Sequence, residues 1–101
     1  MPGATDDDKA PETVAAANGI ADDSAFGAVA PPLYLSSTFA FEGFERPGRF
    51  DYSRTANPSR AVLADTLAKL EGGAGAVITA SGLAALDLVL SPLPVPSAAG
   101  R

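Results

Sequence analysis

Between Asn57 and Pro92, start and stop signals frame every apolar stretch, and this punctuation narrows the fold more than any other feature of the sequence. Asn57 is a residue type that caps helices, and Pro58 carries the fixed φ suited to a first helical position. Val62, Leu63, Thr66, Leu67 and Leu70 then recur at helical spacing, with Arg60, Asp65 and Lys69 on the other side. This predicts a helix to about Leu70 with a buried stripe, ended by Gly72-Gly73. Ala74 to Ala80 is continuously small and apolar, which predicts a short buried strand of a parallel sheet covered on both faces. Ser81-Gly82 turns the chain into a second helix through about Leu90, with Leu83, Leu86 and Leu90 at helical spacing, and Pro92 stops it. Helix, strand and helix in this order indicate an α/β fold. Strand, small-residue turn and helix is also the geometry that places an anion at a helix start.

Upstream the pattern differs. Residues 1–26 are rich in Asp, Ala, Pro and Gly, and predict a disordered acidic N-terminal tail or an arm ordered only by a partner. Pro31-Pro32 biases the chain away from helix, so Ala28 to Phe44 reads as extended. Tyr34, Phe39, Phe41 and Phe44 either fill a core or lie on another surface. With so little other structure to pack on, the second reading is favoured, and residues 27–57 form an extended arm at a subunit interface. Glu45 to Asp51 reads as a turn punctuated by Pro47-Gly48.

Two groups of residues carry chemistry. Tyr52-Ser53-Arg54 offers a phenol and a guanidinium, and guanidinium donors match phosphate oxygens. Ser81-Gly82-Leu83 opens a helix whose first N–H groups lack intrahelical partners and meet the positive end of the dipole. Each is weak alone: an isolated Tyr-x-Arg is common at surfaces, and Ser81 could merely cap its helix. Together they point to a phosphorylated cofactor. The two lysines, Lys9 in the acidic tail and Lys69 beside Glu71, read as solvated bystanders.

Three blocks extend the match. They are Gly27-Ala28-Val29-Ala30-Pro31-Pro32-Leu33-Tyr34-Leu35-Ser36-Ser37-Thr38-Phe39, then Asp51-Tyr52-Ser53-Arg54-Thr55-Ala56-Asn57-Pro58-Ser59-Arg60, then Leu70-Glu71-Gly72-Gly73-Ala74-Gly75-Ala76-Val77 running into Ser81-Gly82-Leu83-Ala84-Ala85. In order and spacing, the chain resembles the pyridoxal-phosphate enzymes of cysteine and methionine metabolism, the transsulfuration enzymes. The resemblance implies pyridoxal 5'-phosphate as cofactor, amino-acid substrates and a homo-oligomer, in this family a tetramer. It implies that residues 58–91 begin the large domain of a fold-type I pyridoxal-phosphate transferase. It also implies that Tyr52 and Arg54 reach the cofactor phosphate of a neighbouring subunit, while the backbone of Ser81, Gly82 and Leu83 holds the chain's own. Asp51 and Phe41-Glu42-Gly43-Phe44 lean toward the cystathionine γ-synthase subgroup, in which cysteine replaces the acyl group of an O-acylhomoserine; lyases and sulfhydrylases of the family are the alternatives.

Departures are specific. Leu83 stands where the family usually has Met, Ala56 where Gly is usual, and Ser59 where Thr is usual. The segment Ala15-Ala16-Ala17-Asn18-Gly19 lacks the basic residue often seen before that Gly. The family's Schiff-base Lys, pyridinium-binding Asp and ring-stacking Tyr have no counterparts here, so no catalytic residue is expected in this chain. Residues 92–101 form a Pro/Ala-rich tail that leaves the family pattern and reads as a premature or frame-shifted end. Alternatives are therefore a catalytically inactive remnant acting as an interaction segment, or an unrelated small phosphate-binding module; the latter leaves the first two blocks unexplained.

Composition sets the remaining bounds. A chain of 101 residues is at most one small domain, and its 47% hydrophobic content is largely Ala, which buries little area. A formal net charge of −5 argues against nucleic acid. The absence of Cys and His makes the acidic run a poor transition-metal site. No apolar run approaches the roughly 20 residues of a membrane span, and the acidic start is unlike a signal peptide, so a cytoplasmic location is expected.

Overall fold

Helix α1 (Pro11–Ala17) forms inside the segment expected to be unstructured. The structure, a computed structural model, describes residues 9–92. The first eight residues of the acidic tail and most of the Pro/Ala-rich tail lie outside that range. Over its described part, the expectation of a disordered tail is corrected for a local reason. Pro11 occupies the first turn, Glu12 sits where a carboxylate complements the helix dipole, and an Ala run follows. Among the described residues Val14 is the buried apolar one, 6% exposed. The helix packs against α2 (Pro58–Glu71).

A polar knot fixes that packing. The Asn18 amide nitrogen donates to Asp65 at 3.0 Å and to the Thr66 hydroxyl at 2.7 Å. Lys69 donates to the Asn18 amide oxygen at 2.9 Å and pairs with Asp65 at 2.9 Å. Gly19 leaves the helix at φ 84°, which favours Gly, and a Cβ there would stand 3.1 Å from Val62 Cγ1, close enough to press on it.

Helix α2 follows its punctuation. The Asn57 side chain accepts from the Ser59 N–H, Pro58 opens the first turn, and Gly72 closes the helix at φ 65°. The stripe expected to be buried is not: Leu63 is 49%, Leu67 40% and Leu70 37% exposed. The periodicity is right, but α1 is too short to cover the whole face.

Ala74 to Ala80 departs further from expectation. Among the described residues no strand forms there, no backbone hydrogen bond joins the segment to another, and Val77 is 72% exposed. A strand exists only through pairing with a neighbour, and no described segment supplies one. Helix α3 (Gly82–Leu90) then begins at the Ser81 cap as expected.

The arm from Ala28 to Phe44 is extended and irregular. It folds back along the segment before α2 through an antiparallel bridge between Thr38 and Tyr52. The turn lies slightly earlier than Pro47-Gly48 suggests. Glu42 N–H bonds the Arg46 carbonyl at 2.9 Å and Arg46 N–H bonds the Gly43 carbonyl at 3.1 Å, with Glu45 held at φ 53°.

Candidate functional site

Tyr52, Arg54 and their supports are assembled by the arm and the start of α2. Phe39 N–H bonds the Asp51 carbonyl at 3.0 Å, and Ser53 N–H bonds the Ser37 carbonyl at 2.8 Å. The Ser53 hydroxyl donates to the Ser36 carbonyl. Beyond Ser53 the chain turns tightly, because the N–H groups of Thr55 and Ala56 both reach the Tyr52 carbonyl at 3.0 Å. Ala56 is absent from the positive-φ residues, so Ala in place of Gly brings no left-handed strain there.

Asn57 ties three segments together. Its amide nitrogen donates to the Tyr34 carbonyl at 3.2 Å and the Ser53 hydroxyl at 2.9 Å, while its oxygen accepts from Ser59 N–H at 2.8 Å. Ser59 adds a second tie, its hydroxyl accepting from Tyr34 N–H at 2.7 Å. Sequence reading identified Asn57 as a helix cap but missed this wider role. Its side chain reaches residues distant in sequence, which no local pattern reveals. The same holds for Arg60, placed by periodicity on the far side of α2 but bonded to the carbonyls of Ser53 and Arg54.

On this frame Tyr52 and Arg54 stand outward. The Arg54 guanidinium carbon lies 5.0 Å from the centre of the Tyr52 ring, a cation–π contact. Both residues are exposed, and no described carboxylate pairs with Arg54. A cation stacked on a ring yet unpaired with an acid is available for an external anion.

The second expected group lies at the start of α3. The Ser81 hydroxyl accepts from Ala84 N–H at 3.1 Å, and Thr79 steadies the turn by donating to the Ser81 carbonyl at 2.9 Å. The N–H groups of Ser81, Gly82 and Leu83 have no acceptor among the described residues. Nothing approaches within 4 Å of the place a Cβ would take on Gly82. Unpartnered donors, open space and the positive end of a helix dipole suit a phosphate group. The Ser81 cap and the anion role are compatible, because one uses the side chain and the other the backbone.

No described hydrogen bond connects residues 52–54 with residues 81–83. A cleft of about 540 Å³ is lined elsewhere, by Asn18, Asp23, Tyr34, Phe39, Arg49 and Phe50 among others, and includes none of the five expected residues. The chemistry argued from donors thus lies away from that concavity. Lys69 is engaged with Asp65 and Asn18 and is 27% exposed at its side chain, less solvated than its sequence position suggests. Among the described residues, no helix is long and apolar enough to cross a membrane.

Comparison with known proteins decides the lineage. The profile of the Cys/Met metabolism PLP-dependent enzymes matches residues 12–96. The chain belongs to this family. The family is one of pyridoxal-phosphate-dependent enzymes, and the unpartnered donors at Arg54 and at the α3 start are of the kind that take a phosphate group. The match begins inside the acidic segment and runs past the boundary expected at residue 92. Among relatives, the cystathionine gamma-synthase of Escherichia coli is 52% identical over 77 residues, 76% of this chain and 20% of its own length. The cystathionine beta-lyase of Lactococcus lactis is 42% identical over 73 residues, 72% of this chain and 19% of its own. The crystal structure of cystathionine gamma synthase from Xanthomonas oryzae, in complex with aminoacrylate and cysteine, superposes with a TM-score of 0.80 at 49% identity. It covers 82% of this chain and 21% of that one. The chain therefore spans about a fifth of the length of the relatives it matches.

Proposed function

We propose that this chain is the N-terminal portion of a cystathionine γ-synthase-like enzyme, whose part is to anchor the cofactor phosphate. When bound, pyridoxal phosphate supplies the electron sink for replacing the acyl group of an O-acylhomoserine by cysteine. Within these 101 residues, two anchors serve two different copies. The Ser81, Gly82 and Leu83 N–H groups hold the phosphate of the chain's own cofactor. Tyr52 and Arg54, carried on the arm, reach the phosphate of a neighbouring copy in a homo-oligomer. The single observation that carries this reading is the pair of unpartnered donor sets, Arg54 on its ring platform and the open start of α3, held on separate elements with no described bond between them.

The reading is tested in a chimera, with these residues replacing the corresponding stretch of the Escherichia coli relative. Arg54→Ala should weaken pyridoxal-phosphate retention about tenfold or more, the cost of one lost charge-assisted contact. Arg46→Ala, a charge outside the site, should leave retention unchanged. Equal retention in both variants rejects the assignment.

A second reading has its own observation. Lys9 and Lys69 are the chain's lysines, and Lys69 is occupied by Asp65 and Asn18. On their own, these residues then act as an interaction segment without chemistry. Borohydride reduction after adding pyridoxal phosphate tests that absence of chemistry: covalent labelling of a specific lysine contradicts it.

A further inference from the structure

The phosphate reading leaves the Arg60 guanidinium without a task. Its Nη2 donates to the Ser53 carbonyl at 3.0 Å and to the Arg54 carbonyl at 3.3 Å. These two oxygens belong to the peptide planes on either side of the Arg54 Cα. A peptide unit is planar, so fixing both planes fixes the backbone angles of Arg54 between them. The direction in which the Arg54 side chain leaves the backbone is then set by Arg60. A guanidinium suits this work because its donors are rigidly arranged and its hydrogen bonds are charge-assisted.

The support is anchored elsewhere than the group it supports. Arg60 is half-buried and lies in the first turn of α2, which Asn57 caps. Arg54 lies in an exposed turn, and its guanidinium is steadied by the Tyr52 ring. We propose that Arg60 is a positioning residue, which holds Arg54 stacked on Tyr52 and aimed for phosphate. The consequence for phosphate rests on the proposed function; the geometric claim does not. Asn57 makes a poorer test because it also caps the helix, whereas Arg60 makes no capping contact.

The experiment uses the isotope-labelled full chain, with two readouts by nuclear magnetic resonance. One is the ring-current displacement that Tyr52 imposes on the Arg54 δ-protons. The other is the response of the Arg54 Nε–H to inorganic phosphate. Arg60→Met should remove most of the ring-current displacement and weaken the phosphate response about tenfold. Arg60→Lys, which restores a charged donor, should recover most of both. An unchanged displacement in Arg60→Met overturns the inference, whatever phosphate does. If the unsubstituted chain shows the displacement but no phosphate response, the phosphate reading falls and the displacement alone decides the role of Arg60. Should Arg60→Met lose the α2 amide signals, Arg60→Gln takes its place with the same two readings.

Discussion

Arg54 and Asp23 show two opposite uses of a surface charge, the one exposed and the other part-buried. Arg54 keeps its donors open, whereas Asp23 spends its carboxylate on its own loop, accepting from the N–H groups of Ala28 at 3.0 Å, Ala25 at 3.1 Å and Phe26 at 3.2 Å. The bond from Ala28, followed by that from Ala25, holds the carboxyl below its ordinary value of 3.8. The charged form is therefore favoured by the fold. Its stabilising effect is fully present above the ordinary value and is lost as pH falls below 3.8 through the depressed value. Relative to their intrinsic exchange rates, the amides of Ala25, Phe26 and Ala28 should lose protection only in that acid window, and Asp23→Asn should abolish this pH dependence. A neutral-pH loosening of the same amides contradicts this. In the sequence, Asp22 and Asp23 read as two more charges of an acidic tail, because a carboxylate that closes a loop looks like any other until the backbone curls around it. Tyr52 and Arg54 were legible as a motif, while Arg60 was not, because its task depends on where two carbonyls point.

At the scale of elements, the helices with cap chemistry were the readable part. Asn57-Pro58, Gly72, Ser81 and Pro92 act on backbone groups a few residues away, so their meaning is local. The two caps differ in reach. Ser81→Ala removes one side-chain acceptor at Ala84 and should cost about 1 kcal/mol. Faster exchange confined to the Ala84 and Ala85 amides is the expected result. Asn57→Ala removes a cap together with ties to Tyr34 and Ser53, and should cost about 2 kcal/mol in urea unfolding while freeing the arm. Equal costs at the two positions contradict the view of Asn57 as the joint between arm and helix. Helix α1 escaped the sequence reading because Pro, Ala and acidic residues count toward disorder in composition, but Pro11, Glu12 and the Ala run make a helix start in that order. The strand expected over 74–80 escaped in the other direction: its apolar run was visible, but pairing is not a property of one segment.

For the whole molecule, the exposed apolar surface and the family membership tell one story. Leu83, Leu86, Val89 and Leu90 are 59–77% exposed on α3, and Phe44 and Leu35 are 91% and 85% exposed on the arm. Apolar residues at this exposure favour burial against further structure. The chain covers 21% of the Xanthomonas oryzae structure that it superposes on. The lineage was legible because three blocks of short, spaced motifs survive in it. The buried stripe and strand were not realised because burial depends on layers these residues do not themselves contain. The direct test of two anchors serving two copies is subunit complementation in the chimera with the Escherichia coli relative. One variant carries Arg54→Ala; the other keeps Arg54 but lacks the cofactor-holding lysine of the relative's portion. At limiting pyridoxal phosphate each alone should show little or no activity, and mixing them by unfolding and refolding together should restore activity, because a hybrid assembles one intact site from both chains. No recovery on mixing would place Arg54 and the lysine in the same copy's site and contradict the cross-subunit role.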